Sequence, residues 1–525
     1  MKHKTTLPVS VPKLIQDYLS WEEQLEPYCS VRPELNELLA YSKRKAFPAK
    51  RRRVIVDVLK EQAGKSKYAS DVTRKQIELL SEDDANTVVT GHQLCIYGGP
   101  MFFPYKILSA VRLAKRLNDE GAKVVPVYWM ASEDHDFEEV NHVYIGEKKF
   151  QWDRPSGGAV GPMTLEGIEQ FQKELRSEFE QDPVRQDTLK VLESIYRPDR
   201  TLAQATQDLV YWLFGDLGVV VIDAADPRLK SEFKDVLKQE LLTNDSLEAV
   251  TQTTQELTDL GYGGQVTPRE INLFWMEEGL RSRIVRTSDG FATPEGDRNW
   301  SRDEMLDALE KYPERFSPNV VMRPVYQEFI LPNLAYIGGP GELSYWLQLK
   351  GVFDRLNVEF PSLVLRDMAV LLDERTAKRM SQLGLGERDV YGDQVSLFKE
   401  LVRKEGSHEH WVEEAREQVK AELESMMKEI DAFDPTLGES ARAEEKRILN
   451  RLEVLRKKVL RADKRQHDTT NRRLQEILSS TYPNSSPQER VHHWLMYTQR
   501  DSMNDFWAEL LVAFDPLSPG LKVFH

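Results

Sequence analysis

Three short apolar, β-branched runs constrain the fold most: Thr87-Val88-Val89-Thr90, Val124-Val125-Pro126-Val127-Tyr128-Trp129 and Gly218-Val219-Val220-Val221-Ile222-Asp223. Each reads as a strand covered on both faces, which is the setting of a parallel sheet. Between the first two, Pro104 to Asn118 carries Ile107, Ala110, Val111, Ala114 and Leu117 at steps of three and four. That stripe is what a crossover helix lays on a sheet, so the stretch predicts one βαβ unit. Leu334-Ala335-Tyr336-Ile337 and Leu363-Val364-Leu365 add candidate strands from far along the chain. The expectation is an α/β fold, an open parallel sheet carrying insertions.

From about Trp411 the texture changes. Val412, Ala415, Val419, Met426, Ile430 and Phe433 mark one apolar seam, Asp434 to Gly438 breaks it, and Ile448, Leu452, Leu455, Val459 and Ala462 mark a second that continues towards Ile477. The spacing predicts an antiparallel coiled-coil hairpin. Charge agrees: residues 411–433 hold seven acidic and three basic side chains, and 442–465 hold ten basic and four acidic ones. A second helix of roughly 40 residues reaches about 60 Å. It should project outward, and a projecting apolar seam invites a second copy of the chain.

At 525 residues, three or four structural units are expected at about 150 residues each. Lys and Arg number 71 against 86 Asp and Glu, a net charge of −15, which disfavours a nucleic-acid binder driven by overall positive charge. Two cysteines, Cys29 and Cys95, cannot build a disulfide framework or a four-cysteine zinc site. The basic N-terminus is interrupted by Pro8 and Pro12, and the longest apolar stretch, Val124 to Ala131, is far shorter than a bilayer span. A cytoplasmic protein without a membrane partner is expected.

Four constellations are able to carry chemistry. Thr90-Gly91-His92-Gln93 followed by Gly98-Gly99-Pro100 lies between a strand and the next helix, where glycines let backbone N–H groups approach an anion. An ordinary glycine-rich turn is the plain alternative. Ser132-Glu133-Asp134-His135-Asp136-Phe137-Glu138-Glu139 puts five acidic side chains and a histidine at the end of a parallel strand, where open α/β sheets bind ligands. Its alternative is a solvated first helical turn. Gly338-Gly339-Pro340-Gly341-Glu342 repeats the strand-to-helix logic, with Tyr345 and Trp346 as walls and Arg323 and Gln327 as a fork upstream. Arg456, Lys457, Lys458, Arg461, Lys464 and Arg465 form a basic helix face, either a solvated surface or a phosphate site. No Gly-x-Ser-x-Gly, His-Glu-x-x-His or Cys-x-x-Cys occurs, so serine hydrolase, zincin and thioredoxin readings lose their support.

These segments, with Arg269-Glu270-Ile271-Asn272-Leu273-Phe274 and Leu460-Arg461-Ala462-Asp463-Lys464-Arg465, resemble the BshC family of bacillithiol biosynthesis across essentially the whole chain. Gly91-His92-Gln93 stands where the relatives carry Gly-Gln-Gln. The resemblance implies a Rossmann-like core with connecting-peptide insertions, a coiled coil that dimerises, and addition of L-cysteine to the amine of glucosaminyl-malate. The expected division is 1–390 for the core, with inserted segments at about 145–215 and 240–320, then 391–482 for the coiled coil and 483–525 for a return to the core.

An amine and a free carboxylate do not condense favourably in water, so the cysteine carboxylate needs activation, with phosphate charge neutralised by helix N-termini, basic groups or Mg²⁺. On that reading Asp134, His135, Asp136 and His92 are the catalytic candidates, and Gln93, Lys106, Arg323, Gln327, Glu342 and Tyr345 contact substrate. Arg283 joins Lys106 and Arg323 as a cation for the malate carboxylates. Gly91, Gly98, Gly99, Gly338, Gly339 and Gly341, with Arg456, Lys458, Arg461 and Lys464, would hold nucleotide phosphates. ATP or ADP with Mg²⁺ is the expected cofactor, and no structural metal is expected. A reading from another class is a coiled-coil assembly protein that binds nucleotide on its basic helix without catalysis. An RNA-dependent ligase is a third, opposed by the net charge.

Overall fold

The computed structural model describes residues 11–386, 389, 391, 397, 400–401, 408–497 and 503–524. Contacts divide the chain into two units, residues 1–370 with 488–524, and 371–487.

The larger unit is built on a five-stranded sheet. Its strands are β1 (Asn86–His92), β2 (Val124–Met130), β3 (Val220–Asp223), β4 (Asn333–Gly338) and β5 (Ser362–Leu365), in the order β5-β4-β1-β2-β3. All four pairings are parallel. The predicted crossover helix is α1 (Phe102–Asp119), and Ile107, Ala110, Val111, Ala114 and Leu117 are all buried. Ala110, Ala114 and Leu117 join Val88, Val124, Leu334, Ile337 and Val364 in one apolar cluster under the sheet. Burying a side chain of this size contributes about 1.5–3 kcal/mol.

Register is what positions the site. His92 pairs with Met130, Met130 with Asp223, Thr90 with Ile337 and Gly338 with Leu365. The carboxyl ends of all five strands therefore stop at one edge, and the loops after β1, β2, β4 and β5 leave from it. Between β3 and β4 the chain adds a small antiparallel sheet of Phe316–Pro318, Leu273–Glu277 and Leu280–Arg283. The segment after residue 487 rejoins this unit: Trp494 Nε1 donates to the Tyr97 carbonyl at 2.8 Å, and Arg116 pairs with Asp515 at 2.6 Å.

The smaller unit holds helices α3 (His408–Phe433) and α4 (Gly438–Thr481), joined by a short turn at Pro435–Leu437, where the break was predicted. Asp431 and Arg442 pair across the turn at 3.1 Å. Helix Glu374–Gln382 also belongs here, because Arg379 pairs with Glu476 at 2.6 Å and Leu383 and Leu385 pack beside Leu474 and Leu478. The unit therefore starts near residue 371, earlier than the expected 391. Of the predicted seam positions, Ala415, Val419 and Ile430 are half-buried, whereas Met426, Phe433, Ile448 and Leu455 are exposed in the single chain. Among the described residues, no helix is long and apolar enough to cross a membrane.

The Gly98-Gly99 turn has a packing reason for its glycines. Gly98 and Gly99 both take positive φ, and a Cβ would meet the Phe103 ring at 2.8 Å or the Cys95 Cβ at 2.7 Å. Gly99→Ala is expected to cost about 1–3 kcal/mol, read as a lower midpoint of thermal unfolding.

Candidate active site

Outside the shared carboxyl edge lies a cavity of about 1080 Å³, and every residue that lines it belongs to the larger unit. Residues at or just beyond the carboxyl ends of β1, β2 and β4 meet there: Gly91, His92 and Gln93; Ser132, Glu133, Asp134 and His135; Gly339, Gly341 and Glu342. This is the carboxyl-end crevice in which open α/β sheets bind ligands.

At its floor the N-terminus of α2 (Pro340–Arg355) is tied to β1. Lys106, reaching up from α1, is 2% exposed; it donates to the Gly91 carbonyl and to both oxygens of Glu342 at 2.8 Å. Glu342 also accepts from the Tyr336 hydroxyl and the Gly339 N–H, each at 2.8 Å. Burial pushes the Glu342 carboxyl up, but Lys106 and these donors outweigh it and hold it down at about 2. Burial lowers the Lys106 ammonium, Glu342 opposes that, and Arg366 and Arg323 reinforce it. Glu342 is therefore an ion-pair partner already engaged, not an open acceptor for a substrate amine. The start of α2 is likewise capped by its own glutamate, which leaves less of the helix dipole for a phosphate.

His92 lies 4.8 Å from the Phe102 ring and 5.8 Å from that of Phe103. Burial, then repulsion from Lys106, holds its imidazole down at about 3. It is neutral near pH 7 and a weak base, so a proton-accepting part in catalysis does not suit this candidate. Gln93 donates to Asp134 at 3.0 Å and to Glu139 at 2.6 Å, so it orients the acidic loop. Glu133 is neutralised by the fully buried Lys230 at 2.7 Å.

Arg323 donates to Gln327 at 3.0 Å and to the Tyr345 hydroxyl at 3.5 Å, with no carboxylate ion pair among the described residues. Gln327 does not line the cavity; it is buried behind Arg323 and donates to Glu328. Burial raises Glu328 to about 7 against Lys45, Asn333 and Gln327. A carboxyl raised on folding favours the folded state below its unfolded value near 4.5 and loses that contribution as pH rises through about 7. Glu328→Gln is expected to remove this loss, by about 3 kcal/mol at most, read as a flatter dependence of thermal stability between pH 5 and about 8.

Several sequence candidates fall outside the cavity. Asp136 is exposed and does not line it. Gly98 and Gly99 are buried in the turn described above, and a Cβ at Gly338 would meet the Leu343 and Tyr336 side chains at 3.0 Å. Arg456, Lys458 and Arg461 lie on α4 in the other unit; Arg456 pairs with Glu453 at 2.9 Å and the other two are exposed. The Lys464 side chain lies outside the described residues. Conversely, Arg281, Arg366 and Arg490 line the cavity and carried no sequence signal. Arg269, quoted only within a motif, and Arg283 line it too.

Seven cations thus surround the cavity, Lys106 with Arg269, Arg281, Arg283, Arg323, Arg366 and Arg490, against four carboxylates, Glu133, Asp134, Glu295 and Glu342. Two of those four are held by buried lysines. Among the described residues, no group of three or more His, Cys, Asp and Glu side chains is arranged to hold a metal ion.

A parallel sheet with a crevice at its carboxyl edge defines a Rossmann-like α/β protein. The family model for the N-terminal Rossmann-like domain of bacillithiol biosynthesis BshC matches residues 1–367, and that for its C-terminal coiled-coil domain matches 369–525. The chain belongs to the BshC family. It is 38% identical over 482 residues to a protein of Flavobacterium johnsoniae named "Putative cysteine ligase BshC", covering 91% of this chain and 90% of that one. Relatives of the same name from Christiangramia forsetii and Staphylococcus haemolyticus are 35% and 31% identical, covering 97% and 86% of this chain and 96% and 87% of their own.

Proposed function

We propose that this chain joins the carboxylate of L-cysteine to the amine of glucosaminyl-malate, with ATP activating the carboxylate. The supporting observation is charge: a chain of net −15 gathers seven cations about one cavity. A sugar-malate and a phosphate-activated acyl group are both anionic, and guanidinium forks suit carboxylate and phosphate oxygens. Arg323, held by Gln327 and Tyr345, is the candidate for a buried anionic group. The exposed Arg269, Arg283 and Arg490 suit groups nearer solvent.

The attacking amine must give up a proton, and Asp134, at the edge of the cavity, is the candidate acceptor. Among the described residues its oxygens accept from Gln93 and the His135 N–H, so lone pairs remain. The cavity carboxylates Glu133 and Glu342 are paired with lysines, so Mg²⁺ would be held chiefly by the phosphates it accompanies. Pairing of two copies through exposed seam residues such as Phe433, and a cytoplasmic site of action consistent with two free cysteines, belong to the same proposal.

The test is incubation of pure protein with L-cysteine, glucosaminyl-malate, ATP and Mg²⁺, read by mass spectrometry. Bacillithiol should form, and Asp134→Asn should suppress it. No thiol product, with host extract also supplied, would refute the ligase reading. Nucleotide binding on α4 without thiol formation would instead favour the assembly protein.

A further inference from the structure

The contact between Arg281 and His135 fixes a proton. Arg281 Nη1 lies 2.8 Å from His135 Nδ1. A guanidinium carries only donors and stays charged, so the Nδ1 lone pair must accept. The imidazole is then neutral, with its proton on Nε2. Arg281 is itself anchored: its Nε and Nη2 both donate to Ser317 Oγ at 3.3 Å, and its guanidinium sits 3.8 Å from the centre of the Phe274 ring. Ser317 in turn donates to Glu133 at 3.1 Å.

Asp134 does not compete for Nδ1. Its Oδ1 is 3.6 Å away, beyond hydrogen-bond reach, and accepts the His135 backbone N–H at 2.7 Å, while Oδ2 accepts from Gln93 at 3.0 Å. The two side chains approach within ion-pair distance but make no hydrogen bond, so Nδ1 is left to Arg281.

We propose that Arg281 is a positioning residue that fixes His135 as the Nε2-protonated imidazole, so that His135 offers the cavity a hydrogen-bond donor and not a base. The ligand group it suits is an oxygen bearing negative charge, on a carboxylate, a phosphoryl group or an acyl carbon under attack. His135, named from the sequence only as a catalytic candidate, thereby becomes a donor and not a proton acceptor. Its kinetic arm rests on the ligase reading; its spectroscopic arm does not.

The first experiment is NMR of the full chain labelled with ¹⁵N-histidine, with His135 assigned through His135→Gln. The Nε2–H tautomer is expected in the wild type, a tautomer mixture in Arg281→Met, and the wild-type state in Arg281→Lys, which keeps a donor. An Nδ1–H tautomer or a doubly protonated ring near neutral pH would overturn the proposal, as would an unchanged tautomer in Arg281→Met. The second compares thiol formation by His135→Gln, whose amide N–H mimics Nε2–H, with His135→Asn and His135→Ala. At least 10-fold higher kcat/KM in the glutamine variant is expected; equal impairment of all three would mark His135 as a base and sink the idea. If no variant or wild type makes thiol, the ligase reading fails and the tautomer still decides the role of Arg281.

Discussion

Lys106→Met is expected to lower thiol formation by at least about 100-fold, some 2.7 kcal/mol of transition-state stabilisation. The same change should lower folding stability by about 3 kcal/mol. Lys106 neutralises Glu342, bridges to the Gly91 carbonyl and so joins the end of β1 to the start of α2. Without it Glu342 loses the largest of the interactions that hold its carboxyl down, and burial, which pushes that carboxyl up, is no longer compensated on the floor of the cavity. Both substrates would then meet an unpaired carboxyl where they now meet a neutral ion pair. The check is kcat/KM alongside a denaturant titration. Lys106→Met combined with Glu342→Gln should recover part of the lost stability, because no unpaired charge is left behind. Wild-type stability in the single variant would mean that water screens Glu342 and that the bridge holds nothing together.

Arg366→Met is expected to be the most destabilising single change, by about 3–5 kcal/mol. Arg366 and Glu489 are 2% and 4% exposed and lie 2.5 Å apart. Arg366 also donates to the Asp367 carbonyl at 2.9 Å, and Glu489 accepts from the Ala369 N–H. Removing the guanidinium leaves a buried carboxylate without its counter-charge. The helix Gln488–Val491, which carries both Glu489 and the cavity residue Arg490, should loosen. Faster amide exchange across residues 488–497 and a lower melting temperature are the expected readouts. Exchange in that segment indistinguishable from wild type would show that other contacts anchor it.

Much of the framework was legible in advance because it follows short-range rules. Apolar runs gave the strands β1, β2 and β3, steps of three and four gave α1, and a Pro-Gly break gave the turn between α3 and α4. The loops after β1, β2 and β4 share one edge, since parallel strands send all their carboxyl ends the same way. Glycine was harder to read. Its presence says that a Cβ is unwelcome, not what excludes it: at Gly99 the reason is Cys95, while Gly339 and Gly341 do border the cavity.

Acidic and basic side chains were legible as types but not as pairs. Local spacing determines which residues can form a strand or a helix face, because the neighbours involved lie within a few positions along the chain. Partnership between charges has no such code: Lys106 meets Glu342 across 236 positions, Arg281 meets His135 across 146, and Arg366 meets Glu489 across 123. The first joins two helices of the core, the second depends on the inserted antiparallel sheet, and the third depends on the C-terminal return folding back over the same edge. Charge, tautomer and base strength in the cavity were therefore decided by long-range packing, since burial and counter-charge, not residue type, set which groups stay ionised.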